Sequence, residues 1–179
     1  MNSKKFTVKT DIRIAETLPK RFYKDPEIFK QVKEKIFVKS WQYIGHEQIM
    51  PVNINLHPFN FLDNFINEPL LLVRDSRDNL KCLSNVCTHR ANILIDNPCE
   101  AKGIRCNYHG RKFDLNGNFK SMPDFEQTKN FPRDCENLKS FPLSNIGPFL
   151  FTSLEPEFDI KSVFDEISNR LSFFKFDSL

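Results

Sequence analysis

The stretches Cys87-Thr88-His89-Arg90 and Cys106-Asn107-Tyr108-His109-Gly110 carry a Cys-x-His pair and a Cys-x-x-His pair, with sixteen residues between His89 and Cys106. Thiolates and imidazoles bind soft and borderline metals, so two of each on paired loops form a metal site. The order of the ligands narrows the metal. In a zinc finger the two cysteines are local partners and so are the two histidines. Here each loop supplies one of each. Such loops can hand their cysteines to one iron and their histidines to another, giving a two-iron centre with one iron on two thiolates and the other on two imidazoles. A structural zinc on the same four residues is the alternative reading.

Outward from these loops the signals are those of short strands. Trp41–Ile44, Leu70–Val73 and Leu80–Val86 are short runs separated by Pro, Asn, Asp and Ser clusters. Arg111–Leu115 and Asn118–Phe119 flank Asn116-Gly117, a dipeptide that suits a type I′ hairpin turn. Two more strands bracket Gly147-Pro148, from Phe141 to Ile146 and from Phe149 to Ser153. A helix precedes this β-region, capped by Asp25, with Pro26 in its first turn and Ile28, Phe29, Val32 and Ile36 along one stripe. Another follows it, from about Asp159 to Phe173, with Val163, Phe164, Ile167 and Leu171 at helical spacing. The expected fold is mostly β and antiparallel, with a helix on either side. Its divisions are an arm and helix over 1–39, a metal-binding β-domain over 40–154 and a helical segment over 155–179.

At 179 residues with 40% apolar and 27% charged residues, the chain can bury a core and is not disordered. Its apolar runs are a few residues long, against the roughly 20 that a membrane helix needs. The N-terminus has basic residues with no apolar block behind them, which argues against a secretory signal. A net charge of +3 is too small to imply nucleic acid or membrane as a partner. Residues 1–40 hold eleven Lys/Arg against five Asp/Glu, which reads as a solvated helix face.

Leu-Ser-Asn-Val-Cys-Thr-His-Arg (83–90) and Cys-Asn-Tyr-His-Gly-Arg-Lys-Phe-Asp-Leu-Asn-Gly (106–117) resemble the cluster loops of Rieske non-haem iron oxygenase α-subunits. These are the ring-hydroxylating dioxygenases and quaternary-ammonium monooxygenases. The helix followed by Trp41-Gln42-Tyr43-Ile44-Gly45-His46 is similar to their opening segment. The resemblance implies an antiparallel Rieske β-sandwich and a Rieske 2Fe–2S cluster. Cys87 and Cys106 would hold the buried iron, and His89 and His109 the outer one through one ring nitrogen each. The other nitrogen would face a partner and titrate, so the reduction potential is expected to depend on pH. One departure stands out: many members have Trp where this chain has Arg111.

The resemblance also fixes what is missing. A Rieske oxygenase activates oxygen at a mononuclear non-haem iron held by two histidines and a carboxylate, in a C-terminal catalytic domain. No histidine follows His109, and His46 and His57 lie too early, reading as ordinary surface or core residues. The expectation is therefore an oxidoreductase component without its catalytic iron: a fragment, an isolated domain or a shortened gene. It would pass electrons from a reductase or ferredoxin to a mononuclear iron of a neighbouring subunit in a homotrimer. A stand-alone Rieske ferredoxin is the alternative, with a zinc-stabilised interaction module more remote. Cys82, Cys99 and Cys135 do not follow the ligand histidines, where a cytochrome bc-type Rieske protein places its disulfide. The reading is a reducing, cytoplasmic setting with spare thiols buried or inert. Tyr108 is either a hydrogen-bond donor to the centre or a packed loop tyrosine. Arg90 and Arg111 read as partners for a carboxylate or as solvent-facing residues. The substrate stays open among aromatic acids, polycyclic rings and quaternary amines.

Overall fold

The structure is a computed structural model and describes residues 6–125 and 127–174. Helix α1 (Pro26–Val32) begins where the Asp25 carboxylate accepts from the Glu27 N–H, and it runs on as a π-helical turn over Lys33–Phe37. Ten short strands follow: β1 (Gln42–His46), β2 (Leu56–Phe61), β3 (Glu68–Arg74), β4 (Leu80–Ser84), β5 (Ile104–Arg105), β6 (Lys112–Phe113), β7 (Phe119–Ser121), β8 (Ser140–Phe141), β9 (Leu143–Ile146) and β10 (Phe149–Thr152). Helix α2 (Ile160–Arg170) closes the described chain, with the Asp159 carboxylate accepting from the Lys161 N–H.

The strands form three antiparallel sheets, ordered β1-β10-β9, β2-β3-β4-β8 and β5-β6-β7. Strand β3 explains how two cores fit into so small a domain. Successive side chains of a strand point to opposite faces, and Leu70-Leu71-Leu72-Val73 is apolar at every position. Leu70 and Leu72 enter one core with Met50, Phe61, Cys82, Phe141 and Leu150. Leu71 and Val73 enter the other with Leu56, Leu83, Leu94, Ile104, Phe113 and Leu138. The second core also contains Cys87 and Cys106, so the predicted thiol ligands belong to the hydrophobic interior.

Three local expectations are revised. Strand β2 has no counterpart among the expected strands; its Pro58 is tolerated at a sheet edge, where β2 bonds only to β3 within its sheet. The Asn116-Gly117 turn is not type I′, which needs positive φ at both central residues. Only Gly117 has it, at +82°, and the loop Leu115–Gly117 is closed by Asp114 N–H to Asn118 O and Gly117 N–H to Asp114 O. The Asp114 carboxylate selects this longer loop by accepting from the Asn116 and Asn118 N–H groups. The stripe of α1 is only half covered: Ile28 and Val32 are half-buried, while Phe29 and Ile36 are exposed.

The two ends of the β-region are zipped together. Glu155 and Glu157 donate backbone N–H bonds to the carbonyls of Val38 and Lys39, and Trp41 Nε1 donates to Phe158 O at 2.9 Å. Between β3 and β4 the Asp75–Asn79 turn is pinned by the Asp75 carboxylate, which accepts from the Arg77 and Asn79 N–H groups. Among the described residues no helix is long and apolar enough to cross a membrane.

Candidate metal centre

The two donor loops are built alike. Cys87 N–H donates to Asn92 O and Ala91 N–H to Cys87 O, so the first loop closes on its cysteine. Cys106 N–H donates to Arg111 O and Gly110 N–H to Cys106 O, the same pattern five and four residues on. Both closures need a left-handed residue at the same place, which is Ala91 with φ +53° in one loop and Gly110 with φ +73° in the other. The first loop is held further by buried Asn85, whose amide accepts from Ile95 N–H at 3.0 Å and donates to Ile95 O at 2.8 Å. The second rises from the β5–β6 ladder, where Ile104 pairs with Phe113 and Arg105 with Lys112.

These closures bring the four predicted donors together in pairs. The Cys87 and Cys106 thiols are both buried and interact directly. The rings of His89 and His109 stand edge to face with centroids 4.8 Å apart. The Nδ1 atoms of both histidines are buried and have no partner within the protein. A buried polar atom left unpaired costs about 1–3 kcal/mol, and here two of them belong to the same two loops as two buried thiols. Among the described residues no three His, Cys, Asp or Glu side chains converge on a single-ion position. The donors fall instead into a thiol pair and an imidazole pair, the division that two irons need.

Electrostatics prepare the same donors. Burial first, then His109, Arg90 and Arg111, push the His89 imidazole below its ordinary value, favouring the neutral form that ligates metal. Burial holds the Cys87 thiol above its ordinary value, with the Cys106 thiol adding to the effect against the opposing His89 N–H. Loading a metal must therefore release a proton from Cys87.

Arg111 is neither solvent-facing nor free for a partner. It is 2% exposed, and its Nη2 donates to Glu136 Oε2 at 2.5 Å. Its guanidinium carbon lies 4.8 Å from the Phe119 ring centre and 5.8 Å from those of Phe113 and Phe131. Tyr108 is also not packed inside. It is 58% exposed, with its ring tilted 33° over His109 at 3.8 Å between centroids. Arg90 is exposed. Sequence reasoning missed the roles of Glu136, which stands in no motif, and of Asn85, which lies in the quoted 83–90 stretch but was given no contact; only the odd Arg after His-Gly pointed to a buried counter-charge.

The remaining histidines and cysteines stay apart from the centre. His46 Nδ1 accepts from Gln48 N–H and caps a short helical turn, while His57 sits on β2 opposite Leu72. All the cysteines are free. Cys82 is fully buried, and burial pushes its thiol up to about 12. Cys99 is half-buried, whereas Cys135 is exposed, so of the expected buried or inert spare thiols Cys135 is not a buried one.

The class these features define is a small β-domain that carries two buried thiols and two imidazoles on paired loops. The description "Rieske [2Fe-2S] domain" matches residues 40–132, and the chain belongs to that family, whose cofactor is a 2Fe–2S cluster. It is 34% identical over 143 residues to the carnitine monooxygenase oxygenase subunit of Escherichia coli strain K12, covering 79% of this chain and 37% of that protein. Against the chloroplastic choline monooxygenase of Beta vulgaris it is 31% identical over 146 residues, covering 81% and 32%. The crystal structure of the apo form of a quaternary ammonium Rieske monooxygenase superposes with a TM-score of 0.77 at 23% identity, covering 88% of this chain and 45% of that one. The chain thus spans about a third of the length of the curated relatives it matches.

Proposed function

We propose that this chain is the electron-transfer Rieske domain of an oxygenase α-subunit, with Cys87, Cys106, His89 and His109 as the cluster ligands. The observation behind the ligand set is the pair of buried, unpartnered histidine Nδ1 atoms on the same two loops as two thiols buried in one core. A 2Fe–2S cluster held there supplies a one-electron carrier with a potential above that of an all-cysteine cluster. The chain's own residues do the rest. The Cys87 and Cys106 backbones, locked by their loop hydrogen bonds, present both thiolates to a dry core. His89 and His109, both half-buried, bury Nδ1 as the ring nitrogen offered to an iron. Exposed Tyr108 over His109 extends the aromatic surface that a reductase or ferredoxin would meet.

The Rieske unit in this reading runs over 40–154, because β8 pairs with β4 and β10 with β1. The flanking 1–39 and 155–179 are contacts to the rest of an oxygenase. Exposed apolar side chains on both helices, Phe29 and Ile36 on the first segment and Val163 and Ile167 on α2, favour this over a self-contained ferredoxin. The acceptor is then a mononuclear iron of a neighbouring subunit's catalytic domain. Likeness to carnitine and choline monooxygenases favours a quaternary-ammonium substrate for the whole protein.

Anaerobically purified protein tests the reading by absorption, electron spin resonance and iron analysis. A coloured protein with two irons, a Rieske-type signal on reduction and a potential that falls as pH rises supports it. A colourless protein holding one zinc refutes it.

A further inference from the structure

Arg111 is the largest side chain that is fully buried. A buried guanidinium is costly unless paired, and this one is only partly satisfied: Nη2 meets Glu136, while Nε is buried with no partner. Glu136 is itself buried and also takes Arg133, at 2.8 Å from Nη2 and 3.1 Å from Nε. Two cations on one carboxylate leave the trio with a net charge of +1. Its inner member is almost fully buried among Phe113, Phe119 and Phe131, where water screens it less than at the surface. The outer member, Arg133, has a side chain 69% exposed.

The same trio touches both donor loops. Thr88, between Cys87 and His89, donates Oγ1–H to the Glu136 carbonyl at 2.8 Å. Arg111 follows the second loop directly and accepts the Cys106 N–H on its own carbonyl. Glu136 holds its charge: burial works against it, but the hydrogen bonds from Arg111 and Arg133 outweigh burial and lower its carboxyl below the usual range.

We propose that Arg111, clamped by Glu136, is a positioning residue that fixes a buried positive charge beside the metal centre and so tunes its reduction potential. A fixed cation stabilises the reduced, more negative state and raises the potential. Loop and charge are coupled, since the carboxylate that orients the guanidinium belongs to the residue whose carbonyl holds Thr88. The proposal rests on the Rieske reading above.

Redox titration followed by electron spin resonance tests it on the full chain. Arg111→Met, which keeps the volume and removes the charge, is expected to lower the reduction equilibrium constant about tenfold, which is about 59 mV for one electron. Arg111→Lys keeps the charge and is expected to stay within a factor of a few of the parent. Glu136→Gln removes the counter-charge and is expected to shift the potential upward. A loaded Arg111→Met protein with an unmoved or raised potential overturns the proposal, as does a lowered potential in Glu136→Gln. Where neither buried variant loads iron, exposed Arg133→Gln decides: a small downward shift supports the proposal and no shift overturns it. A parent protein without a Rieske signal refutes the underlying reading instead, so the two failures are distinguishable.

Discussion

Ala91 and Gly110 occupy equivalent left-handed positions in the two donor loops, and one of them has the wrong residue for the conformation. A left-handed residue with a Cβ costs about 1–2 kcal/mol relative to the right-handed form. Glycine escapes that cost but gains about 0.4–1 kcal/mol of extra freedom in the unfolded chain. The difference makes Ala91→Gly stabilising by about 0.5–1 kcal/mol, or about 1–4 °C in melting temperature for a chain this long. Gly110→Ala is destabilising by about the same amount. Space does not decide the second case, because an added Cβ would meet its nearest atom, Pro123 Cγ, at 3.4 Å, an ordinary contact. The effect is thus a matter of backbone alone. Thermal and denaturant unfolding of the two variants, with cluster absorbance recorded alongside, measures it. Opposite signs of similar size, with the colour retained, are expected. If Ala91→Gly lowered stability, or Gly110→Ala raised it, the equivalence of the two loops would be wrong.

Asn85→Ala leaves the Ile95 N–H and C=O without their partner in a buried place, so a loss of about 2–3 kcal/mol is expected in denaturant unfolding; a loss below about 0.5 kcal/mol would show that water replaces the amide. Thiol labelling of the native protein should modify exposed Cys135 quickly and Cys82 only after unfolding; native labelling of Cys82 would contradict its burial. The same thiol has a pH consequence. Its folded value of about 12 lies above the ordinary 9.0, so between these values the folded chain keeps a proton that the unfolded chain loses. Stability should therefore fall as pH rises above about 9, with a slope from this group of up to about 1.4 kcal/mol per pH unit. Cys82→Ala should flatten that decline, and an unchanged slope would assign it to other groups.

The family was legible from sequence because its motifs are local: Cys-x-His and Cys-x-x-His each lie within four residues. Strands β3, β4, β9 and β10 were legible because apolar runs and turn residues are local too. Strand β2 was hidden by Pro58, whose tolerance depends on an edge position that no neighbouring residue announces. Arg111 was misread for a comparable reason. Its partner Glu136 is twenty-five positions away, and its aromatic box comes from Phe113, Phe119 and Phe131, whose convergence only the fold decides. Asn85 and Ile95 are likewise ten positions apart and meet only because the loop between them folds back. What stayed illegible was the set of long-range polar contacts around the four candidate ligands.

Strand β3 is apolar on both faces, and this leaves its alignment unguarded by the usual safeguard. In a strand with one wet face, a slip of one residue would drive polar groups into the core and is thereby forbidden. A slipped β3 would mostly exchange one aliphatic side chain for another between the two interiors, with only Pro69 or Arg74 at its ends out of place. Alignment must come from the strand's ends. The Asp75–Asn79 turn, with its carboxylate gripping two N–H groups, and Arg74, which reaches Met50 O and Asp78, serve as those anchors. A surface turn lined with polar residues thus acts as the gauge that keeps Leu71 and Val73, rather than their neighbours, against the thiols.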